Sequence, residues 1–482
     1  MTTRKVPSKS ETPEAPRQEL AYSGFHQRKV PSEDAEITHT GPETPLGEYM
    51  RRFWQPVCFS DQLRDVPHKI KIMGEKLVAF RDRRGRVAVM QRHCCHRGAS
   101  LEYGIIQECG IRCCYHGIQY DIDGTVIDIP GEPNADRIKT KMAQGAYPAF
   151  ERDGLVFAYM GPPGHKPPFP EYDAFEKTGD TRLLPFSNVF PCNWLQVMDN
   201  IADQMHTYQL HNPSALYGSH LPEDLNMSSF TLSAAFVKLP VMDYLPVRDG
   251  TGMVFIAGRR VSEDLVWVRM NDLIVPNIGQ HAYLFEDGSE RRLWHRVHMS
   301  RWYVPVDDEN SIIFGWRMFG EAIDPLRKGN EKKVGWDDMD FLDGQVGNRT
   351  YEEGQRLPGD WEAVMSQRKI AVHALENPLG SDRGVYLLRR LIRDAVRQKN
   401  PQADPARMHR RAQEGRQYPT YTNNTILRIP RKGDRIEDER MILNLGRTIV
   451  SILAEADQME GRKRDEFIRA RLEGLEKEKV MA

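Results

Sequence analysis

The 482-residue chain has no surplus of either charge: 67 Lys and Arg stand against 68 Asp and Glu, a formal net charge of −1. No global field therefore draws it to nucleic acid or to an anionic membrane surface. Cysteine is scarce and odd in number, seven in all, and Cys58, Cys109 and Cys192 are scattered without a pairing pattern. That excludes a disulfide framework and points to a reducing, cytoplasmic setting. Long apolar runs are missing as well. No stretch of about 18 apolar residues occurs, and Met1-Thr2-Thr3-Arg4-Lys5 opens no signal-peptide core, so a soluble, unsecreted protein is expected. The length leaves room for two or three domains.

What the chain does carry is concentrated in a few segments. Cys94-Cys95-His96-Arg97-Gly98 and Cys113-Cys114-Tyr115-His116-Gly117 are two loops with C-x-H and C-x2-H spacing, and sixteen residues separate His96 from Cys113. Two thiolates and two imidazoles can hold a [2Fe-2S] centre in which one iron keeps sulfur ligands and the other takes nitrogen, a Rieske centre. Neutral imidazole in place of thiolate raises the potential and suits the centre to passing single electrons. Tetrahedral zinc accepts the same donor types, but zinc fingers usually pair Cys with Cys and His with His along the chain, whereas each loop here holds one of each. Gly98 and Gly117 supply the tight turns that bring backbone close to sulfur.

These loops and their surroundings resemble the Rieske domain of ring-hydroxylating, Rieske-type non-haem iron oxygenases of the phthalate-dioxygenase-like branch. The resemblance runs from Tyr49 to about Gly161 and includes Phe53-Trp54-Gln55-Pro56-Val57, Gly74 to Asp82, the two loops and Tyr120-Asp121-Ile122-Asp123-Gly124. It implies that Cys94, His96, Cys113 and His116 bind the cluster. Cys95 and Cys114 stand where many relatives have proline, and neither is needed as a ligand. Ala99 and Tyr115 occupy the positions that carry an extra disulfide in respiratory-chain Rieske proteins, which favours the oxygenase type.

A second feature follows Trp194-Leu195-Gln196-Val197 on an expected helix: Asp199-Asn200-Ile201-Ala202-Asp203-Gln204-Met205-His206-Thr207-Tyr208-Gln209-Leu210-His211. Its content is the D-x2-H-x4-H spacing. On an ideal helix Asp203 and His206 lie about 60° apart but His206 and His211 about 140° apart, so the helix must widen or end near His211. Asn212-Pro213 supplies a stop signal there. Two histidines five apart are weak evidence alone, yet two imidazoles and a distant carboxylate form the facial triad of iron(II) oxygenases. The family resemblance implies that His206 and His211 are iron ligands and that Asp203 links an iron-ligating His to a cluster-ligating His across a subunit boundary. A carboxylate in that place can accept the free ring N–H and fix the tautomer. For the third ligand the candidates are Asp360, Glu362, Glu376 and Asp382. Leu357-Pro358-Gly359-Asp360-Trp361 through Gln367 is similar to the ligand-bearing segment of the phthalate-type branch, which favours Asp360; a helix-start role after Pro-Gly is compatible with it.

The fold class expected is α+β: an N-terminal all-β Rieske domain, then a helix-grip domain of antiparallel sheet and long helix. Strands are read at Lys69–Ile72, Val87–Met90, Phe230–Leu232, Gly252–Ala257, Leu265–Arg269, Ser300–Val306 and Ser311–Trp316, whose aromatics suit ordinary sheet core. Residues 1–45, polar and with Arg-Lys-Val-Pro-Ser at 4–8 and 28–32, read as a flexible or neighbour-draped arm. The Rieske domain is expected over 46–165, the catalytic domain over 166–400 and a helical extension over 401–482. The resemblance implies a mononuclear Fe(II), O2 as co-substrate, and electrons from NAD(P)H through a separate flavin or iron-sulfur reductase, with or without a ferredoxin. It further implies hydroxylation, dihydroxylation or O- or N-dealkylation of an aromatic or polycyclic substrate by a homotrimer or homohexamer; the alternative is a Rieske electron carrier without oxygenase activity.

Overall fold

The computed structural model describes residues 23–25, 27–218 and 232–481. Three small antiparallel sheets come first. Trp54–Phe59, Leu155–Tyr159 and Ala149–Arg152 form one, and His68–Ile72, Glu75–Arg81, Val87–Gln91 and Ala146–Tyr147 form the next, in that order. The expected strands at Lys69–Ile72 and Val87–Met90 fall in the second, where Gly85 turns the chain at φ +84°, a conformation that favours glycine. The third sheet has only short strands, Ile105–Ile106, Ile111–Arg112, Gln119–Tyr120 and Val126–Asp128. A core of Val78, Phe80, Met90, Leu101, Ile111 and Tyr120 joins the second and third sheets and includes Cys94 and Cys113.

The larger body is a nine-stranded sheet. Arg182–Phe190, Asn310–Phe319, Val297–Asp307, Ile278–Ala282, Leu265–Ile274, Gly252–Arg260 and Val241–Val247 lie side by side in that order, and all these pairings are antiparallel. Of the strand expected at Phe230–Leu232, residues 230 and 231 lie outside the described residues and Leu232 is in no strand. Period-two alternation divides the sheet into two faces. Val254, Ile256, Val268 and Met270 meet the 21-residue helix Arg435–Glu455, whose Ile442, Leu445, Ile449 and Leu453 recur at helical spacing. Gly258 permits this seat, since a Cβ there would stand 2.3 Å from Ile442 Cγ2. Phe255, Ala257 and Leu273 face the other way, into a core shared with the helices Trp194–Ala202 and Arg383–Val396. That second face carries the functional site. Trp302 and Trp316 are buried in the same core as Val57 and Phe157, so the first small sheet packs directly on the large one.

Two expected segment readings change. The arm does not extend to residue 45: Ala35–Thr38 is helical, Ile37 is fully buried, and Asp34 and Glu36 pair with Arg393 and Arg397. A polar segment folds here because its neighbours supply most of the core, and the Thr40 N–H donates to Asp308 at 2.8 Å. Residues 1–22, with the first Arg-Lys-Val-Pro-Ser copy, lie outside the described residues; the second copy has neither helix nor strand. Nor is 401–482 only helical, because Asn423–Arg428 pairs with Leu265–Ile274 and Arg292–His295 inside the large sheet. Asn423, Asn424 and Thr425 are all buried, which erases the alternation a strand reading needs; Asn424 Oδ1 accepts from the Trp267 ring N–H at 3.0 Å.

Candidate functional site

The two Cys-His loops are built on one plan. In each, the Cys N–H donates to the carbonyl five residues on, Cys94 to Ala99 and Cys113 to Ile118, both at 2.8 Å. The N–H four residues on donates back to the Cys carbonyl, from Gly98 at 2.9 Å and Gly117 at 3.0 Å. Both glycines sit at positive φ, +77° and +71°. The thiols of Cys94 and Cys113 are thereby buried, whereas His96 is exposed and His116 half-buried, their ring centroids 4.7 Å apart and edge to face. Two buried sulfurs and two outward imidazoles fit a mixed-ligand two-iron cluster. Tyr120 Oη lies 2.8 Å from Cys94 Sγ, and Gln144 clamps the first loop, accepting from the Cys95 N–H at 2.8 Å and donating to the Gln91 and His93 carbonyls. Cys95 and Cys114 are exposed.

The second centre assembles residues far apart in the chain. Asp360 Oδ1 is 3.5 Å from His206 Nε2, Asp360 Oδ2 is 3.3 Å from His211 Nε2, and the three ligand atoms lie within 4.8 Å of one another. Adjacent ligands on one face of an octahedral ion stand roughly 3 Å apart, and the two carboxylate–imidazole separations are close to that, so the three groups could hold an iron(II) ion. The other three carboxylates considered are engaged elsewhere. Glu362 pairs with Arg349, Glu376 with Arg389, and Asp382 accepts from the Leu379 N–H at 2.6 Å. Asp360 also begins the helix Asp360–Met365, so its helix-start position and its place beside the histidines coexist. Burial opposes its ionisation, but the His211 and His206 imidazoles, with a bond from Gln345, outweigh burial and hold the carboxyl far below the usual carboxylate range. Asn200 Nδ2 donates to Oδ1 at 3.2 Å and the Gln345 amide to Oδ2.

Helix termination puts both imidazoles in reach, though it occurs earlier than the sequence suggests. Trp194–Ala202 ends at Asp203, which is extended, and a second helix runs over Met205–Gln209, just short of His211. Asp203 Oδ1 accepts from the Met205 and His206 N–H groups at 2.9 and 3.3 Å, capping that second helix. Its Oδ2 lies 4.0 Å from His206 Nδ1, a buried nitrogen without a hydrogen-bond partner among the described residues. Beside the triad is a cavity of about 60 Å³ walled by Phe236, Leu284, Phe341, Arg269, His281 and Arg301, among others. Asn200, Gln345, Tyr120 and Gln144 went unnoticed in the sequence as site residues. Two of them had a local signal: Asn200 stands three residues before Asp203, and Tyr120 opens the Tyr120-Asp121-Ile122-Asp123-Gly124 segment.

Residues 53–144 match the Rieske [2Fe-2S] domain family. The chain is 48% identical over 463 residues to the tert-butanol monooxygenase / tert-amyl alcohol desaturase oxygenase subunit of Aquincola tertiaricarbonis, covering 95% of this chain and 97% of that one. The chain belongs to the Rieske non-haem iron oxygenases. It is also 34% identical over 405 residues to the phenoxybenzoate dioxygenase subunit alpha of Ectopseudomonas oleovorans, covering 80% and 91% of the two chains. Its fold is that of dicamba monooxygenase crystallised with dicamba, with a TM-score of 0.52 at 17% identity over 72% of this chain and 98% of that one. A Rieske oxygenase of this kind is the terminal component of its system, and the electron-carrier alternative gives way.

Its cofactors are the [2Fe-2S] cluster and a mononuclear iron, with O2 as co-substrate. When bound, the iron activates O2 for insertion into an organic substrate, using electrons that a separate reductase supplies through the cluster. The polypeptide's share is spatial and electrostatic. Asp360 would present a charged oxygen to such a metal, and Asn200 and Gln345, which donate to that carboxylate, would hold it in place.

Proposed function

We propose that Cys94, His96, Cys113 and His116 ligate the cluster, that His206, His211 and Asp360 ligate the mononuclear iron, and that Asp203 holds the His206 ring and carries the electron path to a neighbouring subunit. The observation that carries this reading is the convergence of two Nε2 atoms and one carboxylate from opposite ends of the catalytic domain. The substrate we assign is a compact organic molecule, first of all a branched tertiary alcohol. Support comes from the near full-length similarity to the tert-butanol enzyme and from the small cavity. Arg269 and Arg301, both buried on the cavity wall, support a second reading, a single-ring aromatic acid. The protein works in the cytoplasm as a trimer or stacked pair of trimers, fed by NAD(P)H through its reductase.

Oxygen uptake by the reconstituted, iron-replete enzyme, followed by product mass spectrometry, tests this assignment. Tertiary alcohols, aromatic acids and aryl methyl ethers form the panel. Uptake coupled to a hydroxylated or desaturated tertiary alcohol is the expected result. Coupled turnover of aromatic acids alone would establish the second reading, and failure on every class with both iron centres loaded would refute the substrate assignment.

A further inference from the structure

One cavity-wall residue carries more than shape. Sheet register places Asn271, His281 and Arg301 on the metal-facing side: Asp272 opposes Gln280 and Gly279 opposes Arg301, so these three share a face with the triad. The Asn271 amide is oriented by the backbone, because its Oδ1 accepts from the Ala282 N–H at 2.8 Å. Its Nδ2 is therefore the donor toward His281 Nδ1, 3.4 Å away. A ring whose Nδ1 accepts carries its proton on Nε2. That Nε2 is buried and has no hydrogen-bond partner among the described residues. Burial, with Arg301 and Arg269 nearby, keeps the ring neutral.

A buried N–H without an acceptor is costly, and buried donors in native proteins are almost always paired. Here the unpaired donor belongs to a residue lining the metal cavity. The neighbouring cations have contacts of their own: Arg269 donates to the Ala282 and Tyr283 carbonyls, and Arg301 Nε lies 3.2 Å from Met299 Sδ. We infer that the His281 Nε2–H anchors the substrate by donating to its hydroxyl oxygen, with Asn271 as the positioning residue that selects the tautomer. A neutral donor suits an alcohol, since it gives one hydrogen bond and brings no counter-charge that the substrate would have to match. This anchor would turn one hydrocarbon branch of the substrate toward the iron, so it bears on which carbon reacts. The inference rests on the tertiary-alcohol reading above.

The test compares binding of tert-amyl alcohol with that of 2,2-dimethylbutane, in which a methyl replaces the hydroxyl. Affinities are measured without O2 on unreduced, cluster- and iron-loaded wild-type, His281→Leu and His281→Gln proteins, with iron content and cluster spectrum verifying each fold. The difference in ligand hydration is the same for every protein and cancels when the alcohol-to-hydrocarbon affinity ratio of a variant is compared with that of wild type. Loss of one buried hydrogen bond should lower that ratio about tenfold in His281→Leu. His281→Gln, whose amide nitrogen reaches the place of Nε2, should retain it. Should His281→Leu not load its metals, His281→Phe takes its place. An unchanged ratio in the apolar variant, with the alcohol still turned over by wild type, would overturn the anchor and leave the substrate class standing. If wild type neither binds nor oxidises the alcohol, both readings fall together.

Discussion

Asp360 shows how a single side chain can serve two ends. It starts a helix and also sits 3.3 and 3.5 Å from two imidazoles, and removing its carboxylate should act on the metal far more than on the fold. Asp360→Ala is expected to empty the mononuclear site while leaving the cluster intact: iron per chain falls by the one mononuclear ion, the visible spectrum of the cluster persists, and turnover stops. Asn200→Ala or Gln345→Ala removes only an orienting amide, for which a loss of about 10–100-fold in iron affinity or activity is expected from metal titration and steady-state rates. At the cluster, Tyr120 Oη lies 2.8 Å from Cys94 Sγ and can donate to it. A donor to a ligand sulfur stabilises the more negative, reduced cluster, so its loss must lower the potential. Tyr120→Phe should shift the midpoint down by roughly 40–60 mV in a redox titration followed by EPR, the equivalent of about one hydrogen bond.

Helix Trp194–Ala202 matters less for its length than for where it stops. Its end is pressed against helix Arg383–Val396 at Gly384, where a Cβ would stand 2.4 Å from the Ala202 carbonyl oxygen and 2.3 Å from Tyr244 Cε1. Gly384→Ala should therefore cost about 1–3 kcal/mol in thermal or chemical unfolding, as overpacking generally does. Because Asp203 follows Ala202 directly and caps the helix carrying His206, the same variant should lower iron occupancy. Helix Arg435–Glu455 offers the contrast. Asp434 accepts from the Ile436 and Glu437 N–H groups at 2.8 and 3.0 Å, and Asp434→Ala should cost about 1 kcal/mol. This helix packs on the sheet face opposite the triad, so iron content should not change.

Two centres in one chain raise the question of which cluster serves which iron. His96 is exposed, with Tyr103, Ile105 and Tyr115 exposed around the same loops, and the Asp203 side chain is about one-third exposed. Such surfaces suit a head-to-tail ring, the closed arrangement in which every donor finds an acceptor. Co-assembly of equal amounts of Cys113→Ser and His211→Ala chains, each inactive alone, should restore about one quarter of wild-type activity, since half the donors meet half the competent acceptors at random. Activity that stays at zero would mean that each chain serves itself.

Local sequence spoke most clearly where function compresses chemistry into a few consecutive residues. The paired Cys-His loops, the Asp203-His206-His211 spacing and the alternating strands could be read directly, because loop ligation, helix phase and the pleat are each determined within one or two turns of chain. Asp360 was one of four plausible carboxylates until the fold engaged Glu362, Glu376 and Asp382 with other partners and left its oxygens facing the imidazoles. The packed Ile37 segment and the Asn423–Arg428 strand escaped for a related reason: neighbours distant in sequence supply the core around the first and the hydrogen bonds for the buried amides of the second. Residue types and spacings thus specified the metals this protein can hold. Which carboxylate meets the two imidazoles, where the helix breaks and which cavity-lining residues come together were decided by long-range packing, whose energies arise only when segments far apart in the chain are brought into contact.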